Sequence, residues 1–547
     1  MNSIMRMILK RTLTLLSRLN ICIPIGWCIL FFILNLSFLE GFPFVHSDET
    51  WLSGLSRTML ETGDMSATEY FFDKYERNPH AVKILFHAFE IGWISLFGYS
   101  IQAIRMLSLL IGTVSLFLLY QIIFKITGIH RAAVLGMALL SVDIQYIYAS
   151  HTARQEIWLI LILLIVLNLL VRRFSGTAVS SKAPLWRYYP DIAAGVILGL
   201  SFGFHPNGLV IFFPAFGYYL YNLFYERKPA LKKSLIFICA FGLTASVFLI
   251  LSFNFNSHFI SDYAAYGESL GVLESPGSKL SGWLGFYKKI YYQISGTYYT
   301  PNIRPHFFFY GLTLLVSLLT ALLKPDSRKR IIPLFIGYAG MQAAFIMIGR
   351  YGQPSAVLNL PILVIICAVT CVELLSEYRI NWIKYIAAVC CVLVVLGSAM
   401  FSGAQIRTEL SQNSAYDEYL NQIASHIPAE SKILCNINAE PFFAYGNLYD
   451  WRNIGKLSDT DMSFTQYISD RNIEYIVYPE EIDYIYEHRP VWNGIYGNIA
   501  LLYHEMQEFL KNQCEEIYSF PSRTYAMRIV RYQQEREWTV TLYRVIP

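Results

Sequence analysis

The stretch HSDETWLSGLSRTMLETGD, residues 46–64, follows the first long apolar run of the chain, and the interpretation of the fold starts from it. It places two neighbouring carboxylates, Asp48 and Glu49, where the chain leaves a predicted membrane helix. Ser47 can cap a helix that has both acids in its first turn, where they interact favourably with the helix dipole. Gly63 is suited to end that helix. The two acids are therefore either helix-start charges or part of the chemistry.

The composition excludes an ordinary soluble protein. Of 547 residues, 55% are hydrophobic and 15% are charged, whereas soluble globular proteins carry about 25% charged residues. The net charge is only +4 and there is no basic tract, so a nucleic-acid partner is not indicated. Seven of the nine cysteines lie in apolar runs and none forms a CxxC pair, which indicates packing rather than metal binding. No GxGxxG or P-loop motif supports nucleotide binding.

Long apolar runs predict a mainly α-helical, polytopic membrane domain over residues 1–404. A transmembrane helix needs about 20 mostly apolar residues, and the first run lacks an A-x-A-like cleavage site, so we expect it to be retained. About eleven candidate spans are present, with approximate extents 21–38, 103–124, 132–149, 157–171, 191–204, 208–224, 235–254, 307–323, 332–349, 355–374 and 384–402.

Basic residues alternate between successive connections of these spans. Short cytoplasmic loops collect Lys and Arg. The basic connections contain Lys125 and Arg131; Arg172, Arg173, Lys182 and Arg187; Arg227, Lys228, Lys232 and Lys233; Lys324, Arg328, Lys329 and Arg330; and Arg379 and Lys384. The N-terminal segment is also basic, and the alternate short connections hold one basic residue each at most. This pattern predicts a cytoplasmic N-terminus and an extracytoplasmic C-terminus.

Part of the first external loop, 39–102, is apolar. Its segment 81–98 carries Lys83, His87 and Glu90 at i, i+4 and i+7, a narrow polar stripe on one helical face. We predict a helix in the outer membrane interface with this stripe as its wet face. A true membrane span is the alternative and would reverse the topology of everything after it.

The composition changes after about residue 405. Charge rises and apolar runs shorten, and strand-like and helical segments alternate, which predicts a small α/β domain over residues 405–547. The predicted strands are 432–437, 473–479 and 538–546, and the predicted helices are 415–427, 463–471 and 498–512. The charge alternation places this domain outside, together with a second long external loop at 255–305.

Unusual polar residues gather at the predicted outer face. They are Asp48 and Glu49; His151, Arg154 and Glu156; His205 and Asn207; and Arg350 and Tyr351. Each group also has a structural interpretation: a capping box from Thr152 and Gln155, turn chemistry at His205, and an Arg350 side chain that only reaches the interface. Their shared side of the membrane nevertheless predicts a site between the outer helix ends.

Several of these stretches resemble known membrane enzymes. SDETWLSGLSRTMLETGD, then NPHAVKILFHAFEIGWISLFG, then IQAIRMLSLLIGTVSLFLLY resemble the start of GT-C fold glycosyltransferases that use polyprenyl-phosphate sugars. That family includes protein O-mannosyltransferases and aminoarabinose transferases. Its short elements correspond here to Asp48-Glu49, Asn78-Pro79-His80, Ala153–Glu156 and Arg350–Pro354. Asn78 stands where aminoarabinose transferases place a Lys.

The resemblance implies a hexosyl- or pentosyltransferase whose donor is a polyprenyl-phosphate sugar presented at the outer leaflet. Such a donor is consistent with the missing nucleotide motif. Asp48 is expected to act as general base for the acceptor, and Glu49 is expected to orient it. Arg350 and then Arg154 are expected to bind the leaving phosphate, because Arg forks onto phosphate oxygens.

The remaining candidate residues have assisting roles in this scheme. Lys83 is a further phosphate-binding candidate, and the supporting residues are Glu156, His87, Tyr351 and His205. A divalent metal beside Asp48 and Glu49 is left open, since no ligand set is evident. The acceptor, whether lipid, glycan or protein, and the sugar are not identified by the sequence.

One function from another class is also considered. A lipid or polysaccharide transporter or flippase also places polar residues near membrane helices. Such proteins typically carry ionisable residues near the bilayer midplane and repeated halves. The sequence shows neither feature, so the multi-pass cell-membrane enzyme is the favoured interpretation.

Overall fold

Helices, most of them apolar, make up most of the described residues up to Gln412. The computed structural model describes residues 21–75, 77–174, 188–226, 228–269, 276–294, 298–348, 353–376, 381–488, 499–526 and 537–546. The helices of this part are α1 (Ile21–Leu36), α2 (Ser47–Thr62), α3 (Ile84–Phe97), α4 (Ile101–Thr127), α5 (His130–Ser141), α6 (Ile144–His151), α7 (Glu156–Phe174), α8 (Tyr189–Leu200), α9 (Gly208–Glu226), α10 (Lys228–Phe255), α11 (Phe259–Ser269), α12 (Pro276–Tyr291), α13 (Arg304–Leu323), α14 (Pro325–Ile348), α15 (Leu360–Leu375) and α16 (Asn381–Gln412). Each of the eleven predicted runs lies on these helices, which confirms the mainly helical membrane fold.

The membrane helices differ in length. Among the described residues, six helices are long and apolar enough to cross a membrane, and the pair α5–α6 would make a seventh. The axes of α5 and α6 differ by 66° because the chain bends between them, where Asp143 caps α6 by accepting from the Gln145 amide at 2.9 Å. The helices α1, α7, α8 and α9 are shorter and apolar. The predicted number of about eleven spans counts these four short helices as spans.

Small residues let several helices approach closely. A Cβ added at Gly217 of α9 would lie 2.5 Å from the Gly337 amide nitrogen of α14. A Cβ added at Gly195 of α8 would lie 2.5 Å from the Phe237 carbonyl of α10. Such contacts at small residues are typical of membrane helices, where close backbone approach supplies the packing energy. They assemble a bundle in which α4, α7 and α15 are central and α10 and α16 are peripheral.

Both predicted external loops contain helices. The first loop holds α2 and the apolar α3, and the second holds α11 and α12. The α2 helix ends at Thr62 with Gly63 in the left-handed region (φ 67°), as its sequence predicts. Of these four helices, α2 carries Asp48 of the site described below.

The C-terminal part is a small α/β domain, which confirms the predicted class. Its elements are α17 (Tyr416–Ala424), β1 (Ile433–Cys435), β2 (Leu448–Asp450), α18 (Phe464–Asp470), β3 (Tyr475–Pro479), α19 (Glu481–His488), α20 (Tyr503–Gln513), β4 (Cys514–Pro521) and β5 (Thr539–Val545). The strand order is β2-β1-β3-β5-β4. β1 is parallel to β2 and β3, and β5 is antiparallel to β3 and β4. β2 and β4 were not predicted from the sequence.

The two parts of the chain are joined by one continuous helix. α16 runs from Asn381 to Gln412 without a break, so the predicted boundary at residue 405 falls inside it. The elements of the outer domain begin with α17. The α16 helix therefore carries the chain from the membrane bundle directly into the α/β domain.

Candidate active site

The first turn of α2 is fixed by a histidine rather than by the predicted serine. The Asp48 amide donates to His46 Nδ1 at 3.0 Å, and the His46 amide donates to Glu49 Oε1 at 3.1 Å. His46 is therefore the N-cap, and it closes a reciprocal capping box with Glu49. The prediction that Ser47 caps the helix was wrong by one residue. This cap sets the direction in which Asp48 leaves the helix.

Glu49 forms a buried ion pair with Arg105 of α4. Arg105 Nε is 2.9 Å from Glu49 Oε2, its Nη2 is 2.7 Å from Oε1, and the Ala153 amide donates to Oε2 at 2.9 Å. Both side chains are fully buried. Arg105 also donates to the carbonyls of Leu39 and Pro43, each at 2.9 Å. This network ties the loop before α2 to α4 and to the segment before α7.

The Glu49–Arg105 pair changes the expected role of Glu49. Both carboxylate oxygens have partners within the protein, so Glu49 does not fit a metal ion shared with Asp48. Among the described residues, no group of three or more His, Cys, Asp and Glu side chains could hold a metal. Sequence reasoning missed Arg105, although a lone charge inside an otherwise apolar predicted span indicates a buried partner.

Asp48 points the other way, into a cluster with Arg154 and Tyr298. Asp48 Oδ2 accepts from Arg154 Nη1 and from the Tyr298 hydroxyl. Arg154 also forks onto Glu156, with both N–O distances at 3.2 Å. The Tyr298 ring stacks on His46, with centroids 4.2 Å apart and planes at 16°. One carboxylate, one guanidinium and one phenol thus meet where α2, the start of α7 and the second external loop converge.

Electrostatics keep Asp48 ionised. Burial alone would raise the Asp48 pKa, but His46, Arg154 and the Tyr298 hydrogen bond outweigh it and hold the pKa well below the usual carboxyl range. Arg154 is held charged by Glu156, Tyr298 and Asp48, which keep its pKa well above its ordinary value despite burial. The cluster is therefore a charged pair in which the Asp48 side chain is still 18% exposed.

Lys83 and His205 lie beside this pair. Burial lowers the Lys83 pKa, while Glu69 and Asp48 act in the opposite direction. Lys83 has φ 82°, a left-handed conformation that is strained for a residue with a Cβ. Burial and the neighbouring Lys83 lower the His205 pKa to about 3, so its imidazole is neutral. The site thus offers a second cation and a neutral imidazole next to Arg154.

The polar stripe of α3 does not face water. His87 Nδ1 is 2.8 Å from the Ser56 hydroxyl, which donates to Glu90 Oε2 at 2.6 Å. His87 and Glu90 are both buried. The predicted wet face was therefore wrong for these two residues, because it packs against α2. Lys83 alone, at the start of the stripe, is turned towards the site.

Other predicted site residues have different positions. His151 hydrogen-bonds the Phe42 carbonyl at 2.7 Å and Asn35 at 2.9 Å, a fully buried structural arrangement. Arg350 and Tyr351 lie outside the described residues. The segment that follows them contacts the second external loop, where the Thr300 hydroxyl donates to Gln353 Oε1 at 2.7 Å. Tyr298, only two residues from Thr300, was missed because the Tyr-rich loop offers no local pattern that distinguishes one tyrosine.

The outer domain holds the backbone just before the cap of α2. Asn438 Nδ2 donates to the Val45 carbonyl at 2.7 Å, and the Val45 amide donates to the Tyr525 hydroxyl at 3.2 Å. On another face of α2, Arg57 Nη1 donates to Glu440 Oε1 at 3.0 Å. Glu440 is fully buried and also accepts from Tyr99. The outer domain is thus part of the scaffold that positions Asp48.

Glu440→Gln is expected to lower stability by about 1–3 kcal/mol, the range for losing a hydrogen bond to a buried charged group. The amide keeps the shape of the side chain but removes the charge that faces Arg57. Thermal unfolding of the purified protein in detergent measures the effect. Glu430→Gln, at an exposed position of the same domain, is the control and should change the midpoint little. Equal midpoints for the two variants would show that the Glu440 contact is not stabilising.

A family model and several solved structures relate this chain to known proteins. Residues 84–252 match the family model described as dolichyl-phosphate-mannose-protein mannosyltransferase. This match includes Arg105, Arg154, Glu156 and His205 and begins after Asp48. Among curated proteins there is no match.

Solved structures share the fold over most of the chain. ArnT from Cupriavidus metallidurans bound to undecaprenyl phosphate has a TM-score of 0.51 at 14% identity, covering 94% of this chain and 98% of that chain. The oligosaccharyltransferase AglB from Archaeoglobus fulgidus, in complex with an inhibitory peptide and a dolichol-phosphate, has a TM-score of 0.51 at 11% identity, covering 84% of this chain and 70% of that chain. The likeness to these structures shows that the chain has the GT-C fold, the fold of membrane glycosyltransferases.

Proposed function

We propose that the protein transfers a sugar from a polyprenyl-phosphate donor to an acceptor at the extracytoplasmic face of the membrane. The observation that carries this proposal is the meeting of Asp48 with Arg154 and Tyr298, beside Lys83, at one end of the bundle. A base for the acceptor and cations for a leaving phosphate are the two groups that the reaction needs. The ArnT and AglB structures contain a polyprenyl phosphate and a dolichol phosphate, which supports a donor of this kind. The charge alternation of the loops supports the orientation.

The chemical step follows from these positions. The acceptor's nucleophilic atom loses its proton to Asp48 and forms a bond to the anomeric carbon. The bond between that carbon and the phosphate oxygen breaks, and its electron pair leaves with polyprenyl phosphate. Arg154 and Lys83 stabilise the charge that builds on the phosphate, and Glu156 keeps the Arg154 guanidinium oriented. Arg350, outside the described residues, remains a predicted additional phosphate ligand.

Donor binding activates the base in this mechanism. In the free protein, Arg154 is the counter-charge of Asp48, and a carboxylate held by a cation is a weak base. When a phosphate takes up the charge of Arg154, Asp48 loses part of that stabilisation, and its pKa rises. A base whose pKa lies nearer to the working pH is more effective. We therefore propose that the donor binds before the acceptor is deprotonated.

The direct test is transfer in proteoliposomes. The protein is supplied with a panel of polyprenyl-phosphate sugars and with envelope lipids, glycans and proteins as acceptors. Release of polyprenyl phosphate that depends on both substrates is the expected result. Movement of an intact lipid-linked sugar across the bilayer, without any release, would instead support the transporter alternative.

The pH dependence has a predicted direction. Asp48 must be ionised to act, so activity is lost as the pH falls through its pKa. With donor and acceptor both well below saturation, the rate reports the free enzyme, whose Asp48 pKa is held well below the usual carboxyl range. The acid limb of kcat, which reports the enzyme with donor bound, should therefore lie at higher pH than the acid limb of the rate below saturation. Coinciding limbs would contradict the coupling of Asp48 to the donor phosphate.

Arg154→Gln is expected to lower kcat/KM for the donor by about 10²–10³-fold, the effect of removing a group that stabilises developing negative charge. Arg154→Lys should lose less, since it keeps a cation but not the fork that engages Asp48 and Glu156 together. Initial rates at several donor concentrations measure both variants. Arg304→Gln, an exposed arginine at the start of α13, is the control. Wild-type kinetics in Arg154→Gln would remove this residue from the phosphate role.

A further inference from the structure

An apolar cavity lies at the end of the bundle away from Asp48. It has a volume of about 430 Å³ and is lined mainly by α5, α15 and α16, with one side open. α5 begins at this cavity and leads towards α6 and the active site, while α15 ends at it. Its wall is almost entirely apolar, with Leu139, Val364 and Val394 among its residues. The cavity is therefore separate from the proposed site of sugar transfer.

The cavity exists because α16 is attached to the bundle over only part of its length. Near the active-site end, the Ser398 hydroxyl lies 2.6 Å from His306 Nε2, and the Ser402 hydroxyl donates to the Val142 carbonyl at 2.7 Å. The α16 residues that line the cavity, from Lys384 to Val395, come before these two contacts along the helix. An apolar gap of this size in a bilayer excludes water, and it loses packing energy unless hydrocarbon fills it.

Two basic side chains lie at the rim of the cavity. They are Arg131 and Lys384, and both are exposed. Most of the other lining residues are apolar. A group the size of a water molecule or a methylene occupies about 30 Å³ in a liquid. The cavity therefore has room for on the order of 14 methylene groups. That volume fits one acyl chain, and the two cations suit an anionic head group above it.

We infer that this cavity binds one acyl chain of an anionic phospholipid from the leaflet opposite the active site, with its phosphate at Arg131 and Lys384. The polyprenyl tail of the donor is a less suitable occupant, because its phosphate belongs at the other end of the bundle and would leave the two rim cations unused. The bound lipid fills the gap beside α16, the helix that continues into the outer domain. This inference does not depend on the proposed transfer reaction.

Photo-crosslinking tests the inference without measuring activity. Phosphatidylglycerol and phosphatidylcholine, each with a diazirine at the end of one acyl chain, are added in turn to the full-length protein in phosphatidylcholine nanodiscs. Each rim cation should favour the anionic lipid by about fivefold. Phosphatidylglycerol should therefore label α15 and α16 peptides that line the cavity at least fivefold more strongly. Labelling around Leu243, an exposed residue of α10, reports bulk lipid and should be equal for both.

Two variants separate the head-group contact from the acyl-chain contact. Arg131→Gln combined with Lys384→Gln should make the two lipids label the cavity equally. Ala388→Phe narrows the cavity without changing the rim and should reduce its labelling by both lipids. Equal labelling by the two lipids in the wild type would overturn the inference. So would displacement of the probe by unlabelled polyprenyl phosphate but not by unlabelled phosphatidylglycerol, which would assign the cavity to the donor tail.

Discussion

Asp48→Asn is expected to lower kcat for sugar transfer by about 10²–10⁴-fold, the usual contribution of a positioned general base. The amide can still accept hydrogen bonds from Arg154 and Tyr298, which both reach Asp48 Oδ2. It cannot take the proton of the acceptor. Loss of turnover with a preserved fold is therefore the expected result. Steady-state release of polyprenyl phosphate in proteoliposomes, at saturating donor and acceptor, measures it.

The matched control for Asp48→Asn lies on the same helix. Glu61→Gln replaces an exposed carboxylate near the end of α2 and should leave kcat unchanged. Donor binding to Asp48→Asn, followed with a labelled polyprenyl-phosphate sugar, should persist, since the variant keeps Arg154 and Lys83. Turnover that survives in well-folded Asp48→Asn would return this residue to a helix-start charge and would place the base elsewhere.

Arg105→Met is expected to have the largest effect on stability, a loss of about 3–5 kcal/mol. The substitution leaves Glu49 buried without its counter-charge, and it removes the donors that hold the Leu39 and Pro43 carbonyls. Thermal or denaturant-induced unfolding in detergent should therefore show a greatly destabilised protein. Adding Glu49→Gln to Arg105→Met should recover part of the loss, because the second change removes the unpaired charge.

A surface ion pair of the same kind provides the comparison. Arg523 Nη2 lies 3.2 Å from Glu537 Oε1, and the two side chains are 48% and 58% exposed. Exposed pairs are worth about 0–1 kcal/mol, so Arg523→Met should change stability little. If Arg105→Met and Arg523→Met destabilised the protein equally, burial of the Glu49–Arg105 pair would not be the source of its importance.

The sequence by itself determined the elements whose signal is local. Apolar runs predicted the helices of the membrane bundle, although the run 132–149 is bent into α5 and α6. Hydrocarbon accepts a backbone only when the segment satisfies its own hydrogen bonds. The end of α2 at Gly63 and the strands β1, β3 and β5 were also predicted, since caps and strand patterns extend over a few residues. The sequence also singled out Asp48 and Glu49, whose role in a site stays a prediction.

Only the tertiary structure decided which partners Asp48 and Glu49 have. Asp48 and Glu49 are adjacent in sequence, yet one turns to Arg154 and Tyr298 and the other to Arg105. The reason is that each partner comes from a distant part of the chain, and nothing in the local pattern specifies which charge meets which. The same holds for Asn438, which reaches Val45 across 393 residues. Local hydrophobicity and capping set the helices, whereas long-range packing decided which carboxylate meets Arg154 and which is buried with Arg105.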